Sequence, residues 1–205
     1  MDFWQIFTLV TGVLYIIFEI RQKNVMWVVG IATSLAAMWV FFRQGLYASF
    51  GLNTYYFITA FIGLWQWRHD KNSLSADVHD SNEGDLIVLN RLSWKTILVS
   101  VLVSVVGIIA LSYGMTLLNE VGILNENPMS ILDSAVTVLS AVATWWLVRS
   151  YIEQWWLWIV ADMMSTILCA TQGMWWMSAL YLVYVLAAVY GLAYWKKHGR
   201  YIAEA

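Results

Sequence analysis

Seven stretches of the chain are apolar over the length that crosses a bilayer, and polar residues collect between them. They run over Trp4–Glu19, Val25–Phe42, Leu46–Trp67, Trp94–Leu118, Ile131–Val148, Trp155–Thr171 and Met174–Trp195. The first and sixth are short and span with help from flanking residues. Each is read as a transmembrane helix, since only a helix satisfies every backbone polar group within one segment in lipid. The longest polar connection, 68–93, joins spans three and four. Residues 119–130 form a loop on the opposite side around an Asn127-Pro128 turn, and 198–205 form a tail.

The pattern repeats. Sliding the chain by 128 residues without a gap superimposes Arg21 on Arg149, Trp27 on Trp155, Ile31 on Ile159 and Gln44-Gly45 on Gln172-Gly173. The same shift matches Leu52 with Leu180, Tyr56 with Tyr184, Gly63-Leu64 with Gly191-Leu192 and Trp67 with Trp195. Spans one to three thus correspond to spans five to seven, and the single span between them restores the direction. The expected architecture is all-α, with seven transmembrane helices in a 3+1+3 arrangement of parallel triple-helix repeats. In domain terms, 1–67 is a first three-helix bundle, 94–118 a linking helix and 131–197 a second bundle. Duplicated bundles of this kind hold substrate near the bilayer midplane, at the repeat interface.

Composition fixes the class. Hydrophobic residues make up 61% of the chain and charged residues 12%, where soluble domains carry about 25% charged. The net charge of −2, with no basic cluster, gives no ground for a nucleic-acid partner. The lone Cys169 lies in an apolar segment and has no second cysteine to pair with. The first apolar segment lacks the basic start and small-residue cleavage site of a signal peptide. Lys and Arg give the orientation. Ten of them (Arg21, Lys23, Arg68, Lys71, Arg91, Lys95, Arg149, Lys196, Lys197 and Arg200) fall on one side of a seven-span chain, and only Arg43 on the other. The basic side is expected to face the cytoplasm, so the amino terminus lies outside and the carboxyl terminus inside.

Candidate chemistry centres on span six. At helical spacing Trp155, Trp158, Asp162, Ser165, Cys169 and Gln172 share one face, and Leu157, Val160, Met164, Ile167 and Leu168 share the other. A carboxylate near mid-bilayer costs about 2.5–3.5 kcal/mol on insertion scales, so Asp162 calls for a partner, a cavity or a ligand. Three readings stand side by side. Asp162 is satisfied by hydroxyls such as those of Ser34 or Thr137, or it is the counter-charge of a bound ligand, or it couples protons, for which no basic partner is in view. Two indoles beside an acid suit a flat cation. Trp155, near the end of the span, also suits an interfacial anchor. The repeat mates Trp27, Gly30 and Ser34 replace the deeper indole and the acid by smaller groups. On span three Asn53, Tyr56, Ala60, Gly63 and Trp67 form a stripe, matched on span seven by Tyr181, Tyr184, Ala188, Gly191 and Trp195. Glycine and alanine on such a stripe mean close helix packing.

Other polar residues have blander readings. Glu19, beside Arg21 and Lys23, is expected to snorkel into an ion pair at the interface. Asp133, at the start of span five, is expected to complement the helix dipole. His69, Asp70, Asp77, His79, Asp80, Glu83 and Asp85 in the long connection match no metal-site spacing and read as a solvated linker, with Leu86–Leu89 resting on the membrane surface. No Walker pattern occurs, and all three histidines lie outside the spans, which argues against an ATPase and against intramembrane acid–base enzymology. No metal or cofactor is expected.

The runs Trp27-Val28-Val29-Gly30-Ile31, Gln44-Gly45-Leu46-Tyr47-Ala48, Gly63-Leu64-Trp65-Gln66-Trp67 and Tyr151-Ile152-Glu153-Gln154-Trp155-Trp156-Leu157-Trp158-Ile159 resemble those of the Pnu-type bacterial vitamin transporters. The resemblance covers nearly the whole chain. It implies a fold like that of full-length SWEET transporters, and facilitated diffusion of an unphosphorylated vitamin across the inner membrane, trapped afterwards by a cytosolic kinase. It implies a site lined by Trp155, Trp158 and Asp162; Asn53, Tyr56 and Tyr184 are expected to hydrogen-bond the ligand from facing helices. Family members specific for nicotinamide riboside usually carry asparagine where this chain has Asp162, and glutamine where it has Asn53. Nicotinamide riboside is the first expected substrate. Asp162 favours thiamine as the alternative, because a carboxyl group pairs with an aminopyrimidine edge. A seven-helix receptor is the alternative from another class, and homo-oligomerisation stays open.

Overall fold

A computed structural model of the chain describes residues 14–43, 47–77, 87–122 and 130–202. Its helices are α1 (described over 14–20), α2 (Val25–Arg43), α3 (Tyr47–Asp77), α4 (Trp94–Glu120), α5 (Ser130–Val148), α6 (Gln154–Thr171) and α7 (Trp175–His198). Two three-residue strands, β1 (Ile87–Leu89) and β2 (Gly199–Tyr201), pair in parallel with Val88 opposite Arg200. The chain is an all-α membrane protein of seven helices. α4, α5 and α7 are each long and apolar enough to cross a bilayer by length and composition alone.

Local chemistry sets the helix ends. Ser93 caps α4, its hydroxyl accepting from Thr96 N–H at 3.2 Å. α6 closes on Gly173 at φ +73°, where Met174 N–H reaches Cys169 O at 2.8 Å and Gly173 N–H reaches Ala170 O at 3.1 Å. The 128-residue repeat is written into the backbone at the ends of α1 and α5. Arg21 N–H bonds Ile17 O, Gln22 N–H bonds Glu19 O and Lys23 N–H bonds Phe18 O, at 3.2, 2.9 and 2.8 Å. The mates Arg149, Ser150 and Tyr151 bond Trp145 O, Leu147 O and Trp146 O at 3.2, 3.0 and 3.0 Å. Gln22 and Ser150 both take a left-handed conformation, with φ 48° and 56°. Side chains other than glycine and asparagine seldom accept that conformation, so its duplication marks a constraint shared by both repeats.

Two compact units are distinguished. The first comprises Met1–Arg91, Thr144–Ile152 and Ala193–Ala205, and the second Leu92–Ala143 and Glu153–Leu192. In the first unit α2 packs on α3. The Trp27 ring stands edge-on to Trp67, 5.0 Å between centroids. Trp67 donates from Nε1 to Leu147 O at 3.1 Å, and its mate Trp195 donates to Ile20 O at 2.9 Å. Each repeat thus sends a fully buried indole to the end of the other repeat's first helix, and each such bond contributes about 1 kcal/mol. In the second unit Gly107 of α4 faces Val138 of α5, and Ser178 Oγ donates to Thr166 O at 2.9 Å, joining α7 to α6. α4 buries no residue fully: a half-buried stripe through Ile97, Ser104, Gly107 and Met115 packs, and most of the rest of its surface is exposed.

Several expectations change. α3 does not stop at Trp67 but continues to Asp77, so the 68–93 connection begins as helix. Ile87–Leu89 does not lie on the membrane surface: it is a strand buried at 1%, 1% and 2% exposure. Three such apolar side chains contribute about 1.5–3 kcal/mol each when taken from water, more than a surface position returns. Glu19 does not snorkel. It is 4% exposed, while Arg21, two residues on and about 200° around the helix, is exposed. The first expected span, Trp4–Glu19, is described only from residue 14, and His79, Asp80, Glu83, Asp85 and Leu86 lie outside the described residues.

Candidate functional site

α6 buries the stripe expected of it. Trp155, Ala161, Asp162, Ser165 and Cys169 are buried, while Trp156, Val160, Met163 and Ile167 on the other side are exposed. Trp158 is half-buried, and Gln172, past the helix end, is exposed. The heptad spacing therefore describes the inward face from Trp155 to Cys169.

Asp162 lies near the middle of α6 at 7% exposure. The neighbouring hydroxyls do not serve it. Thr166 Oγ1 donates to the backbone O of Asp162 at 2.7 Å, Ser165 Oγ to Ala161 O at 2.9 Å, and Thr137 Oγ1 to Asp133 O at 3.0 Å. Serine and threonine within helices often bond the preceding turn in this way, and the hydroxyl is then spent. Among the described residues the Asp162 carboxylate has neither a hydrogen bond nor an ion pair. The Trp158 indole N–H, four residues earlier on the same helix, is likewise buried without a partner. A buried donor left unsatisfied, as at Trp158, costs about 1–3 kcal/mol unless something binds it, and the Asp162 carboxylate lies one turn away on the same helix.

Tyrosines of α7 border this pair. Tyr184 lies within electrostatic reach of Asp162, and Tyr181 within reach of Cys169, Asp162, Tyr184 and Asp133. The two phenol rings meet edge to face, 6.1 Å between centroids at 86°. Tyr181 stood on the sequence stripe but not among the expected site residues. Its spacing of three from Tyr184 was the signal that placed both on one helix face.

Trp155 is held differently. It is 1% exposed, and its ring lies flat against Gly191 of α7: a Cβ added there would come within 2.6, 2.7 and 2.8 Å of three ring carbons. The mate pair in the first unit is the same. A Cβ on Gly63 would come within 2.5, 2.5 and 2.7 Å of the Trp27 ring. In each repeat a glycine on the third helix makes room for a tryptophan of the second.

Asn53 and Tyr56 lie half-buried on α3, in the first unit, where Tyr56 packs against Tyr55 with centroids 5.7 Å apart. The structure thus brings Trp155, Trp158, Asp162 and Tyr184 into one unit, and Asn53 and Tyr56 into the other. Residues 153–192, which supply α6 and most of α7, contain no Lys or Arg. No cluster of three metal-binding side chains occurs among the described residues. The arrangement offers an acceptor of negative charge, an indole donor and phenol rings, and no counter-charge for an anion.

Comparison with known proteins gives the family. A family model described as nicotinamide mononucleotide transporter matches residues 2–197. The chain is 25% identical over 178 residues to a nicotinamide riboside transporter PnuC of Escherichia coli, covering 78% of this chain and 71% of that one. It is 27% identical over 197 residues to the PnuC of Neisseria mucosa, covering 92% and 70%. A crystal structure of the vitamin B3 transporter PnuC superimposes with a TM-score of 0.63 at 25% identity, over 93% of this chain and 79% of the other.

Proposed function

We propose, from the premise that the chain belongs to the nicotinamide mononucleotide transporter family, that it carries unphosphorylated nicotinamide riboside across the bacterial inner membrane by facilitated diffusion. The family is one of transporters, so neither an enzyme nor a receptor is needed to account for the fold. The observation that carries the substrate reading is the Asp162 carboxylate, 7% exposed and without a hydrogen bond from any described residue, one helical turn from the unpartnered Trp158 N–H. A pyridinium ring supplies the missing positive charge, and the sugar hydroxyls and carboxamide supply partners for the N–H and the phenols.

The same observation separates the riboside from the mononucleotide. A phosphate adds about −1.5 to −2 charge at neutral pH. In spans six and seven it would meet Asp162 and no cation before Lys196. The unphosphorylated form is therefore the cargo, and phosphorylation by a cytosolic kinase removes it from the return path. Trp158 stacks on the ring, Asp162 meets its charge and Tyr184 hydrogen-bonds it. Trp155 shapes the wall behind. Asn53 and Tyr56 take their proposed hydrogen-bonding roles from the sequence alone. The basic end faces the cytoplasm, with the amino terminus outside.

One feature favours a second cargo. A carboxyl group pairs with the donor–acceptor edge of an aminopyrimidine, and the thiazolium of thiamine is also a flat cation. Calorimetric titration of the purified protein with nicotinamide riboside, thiamine and nicotinamide mononucleotide decides among them. The proposal expects the riboside tightest and the mononucleotide at least 100-fold weaker. Equal binding of riboside and mononucleotide rejects the charge argument, and thiamine tightest moves the assignment to thiamine.

A further inference from the structure

The basic ends of the two repeats are joined through one short buried segment, 87–90, although it belongs to the polar connection before α4. The side chain of Gln22 grips its centre. Gln22 Nε2 donates to Val88 O at 2.9 Å, and Gln22 Oε1 accepts from Val88 N–H at 2.8 Å. The amide stands where a neighbouring strand would. The same Nε2 also donates to Ser150 Oγ at 3.2 Å, and Ser150 is the repeat mate of Gln22. Any pseudo-twofold relating the repeats passes between these two side chains.

The rest of the segment is tied to both repeats. Asn90 N–H bonds Ser150 O at 3.2 Å. Asn90 Nδ2 donates to Arg149 O at 2.9 Å and to Asp70 Oδ2 at 3.1 Å. Lys71 Nζ donates to Gln22 O. On its far side the segment pairs with β2, and Leu89 O accepts from Ile202 N–H at 3.0 Å. Ends of α1, α3, α5 and α7 therefore meet on four residues, and Gln22 alone makes three of the side-chain bonds.

We infer that the segment Ile87–Asn90 is a latch on the basic end, held shut by Gln22, and that cargo leaves by this end only after the Gln22–Val88 pair has parted. The inference rests on the transport reading above. A carrier that alternates between two openings must break whatever fastens its moving parts at the end that opens. The two Gln22–Val88 bonds, made by one side chain on one peptide group with no helix passing through them, break without unfolding a span. A purely structural staple, by contrast, stays closed whether or not cargo is bound.

Thiol labelling tells the two apart. The parent chain carries one thiol, the buried Cys169, and provides the background. Val88→Cys places a second thiol at a position now 1% exposed. A membrane-impermeant maleimide should label Val88→Cys slowly in purified protein, and at least three-fold faster with saturating nicotinamide riboside. Adding Gln22→Ala should raise the cargo-free rate at least ten-fold. Gln22→Glu, which keeps the acceptor for Val88 N–H but loses both donors, should fall between and covers the case in which the alanine variant does not fold. Titration calorimetry of the Val88→Cys protein keeps the two claims apart. Absence of riboside binding rejects the transport reading, whereas binding with an unchanged labelling rate overturns the latch. Labelling that the Gln22 variants leave unchanged overturns it whether or not the riboside binds.

Discussion

Gly191→Ala puts the proposed site under the smallest available perturbation. The new methyl group would lie 2.6–2.8 Å from three carbons of the Trp155 ring, where carbon atoms rest at about 3.5–4.0 Å. The indole must withdraw by roughly 1 Å, or α7 must move away from α6. Overpacking of this kind costs about 1–3 kcal/mol. Trp155 backs the face of α6 that carries Trp158 and Asp162, so part of that cost should appear in cargo binding. A loss of about 1–2 kcal/mol corresponds to roughly 5- to 30-fold in Kd. The assay is calorimetric titration with nicotinamide riboside, beside thermal denaturation of the same preparations. The mate substitution Gly63→Ala should lower the Tm as much, because its clash with Trp27 is equally severe, but should weaken binding less. Trp155→Phe in the Gly191→Ala background should restore part of both quantities by making room. A folded Gly191→Ala protein that binds within two-fold of the parent would refute the reasoning, as would a double variant with no recovery.

Three further outcomes follow from the same geometry. Asp162→Asn removes a buried acid that lacks a protein partner, so the Tm should hold or rise by a few degrees; a fall of more than about 5 °C would mean the carboxylate supports the fold, at roughly 2–4 °C per kcal/mol for a chain of this size. Trp158→Phe keeps a ring and deletes the unpartnered N–H, so it should weaken riboside binding about 5- to 10-fold with little change in Tm, and an unchanged Kd would assign that N–H no role. Trp67→Phe and Trp195→Phe each remove an indole bond across the repeats and should each lower the stability by about 1–2 kcal/mol in chemical denaturation; a loss confined to one of them would show that the two crossings are not equivalent.

What the sequence made legible was whatever repeats or alternates. Apolar length gave the spans, the 128-residue shift tied Trp27, Gly63 and Trp67 to Trp155, Gly191 and Trp195, and helical spacing put Trp155, Asp162, Ser165 and Cys169 on one face. The latch was not legible, for two physical reasons. Ile87-Val88-Leu89 is too short to show a period, and its partners at Gln22, Ser150 and Gly199–Tyr201 are contacts of high sequence separation. Glu19 was misplaced because it was read with the exposed Arg21 on one surface, whereas two residues on a helix lie about 200° apart and Glu19 takes the buried side. That no hydroxyl of Thr137, Ser165 or Thr166 bonds the Asp162 carboxylate also lay beyond the sequence, since each donates instead to a backbone carbonyl of its own helix.

At the centre of the account is a carboxylate that reads the positive charge of its cargo. Nicotinamide riboside and its dihydro form have nearly the same shape, and only the oxidised form carries the ring charge. Competitive titration of the two against the parent and Asp162→Asn isolates that charge. The account predicts a preference of at least ten-fold for the oxidised form in the parent, lost in Asp162→Asn; equal affinities in the parent would contradict it.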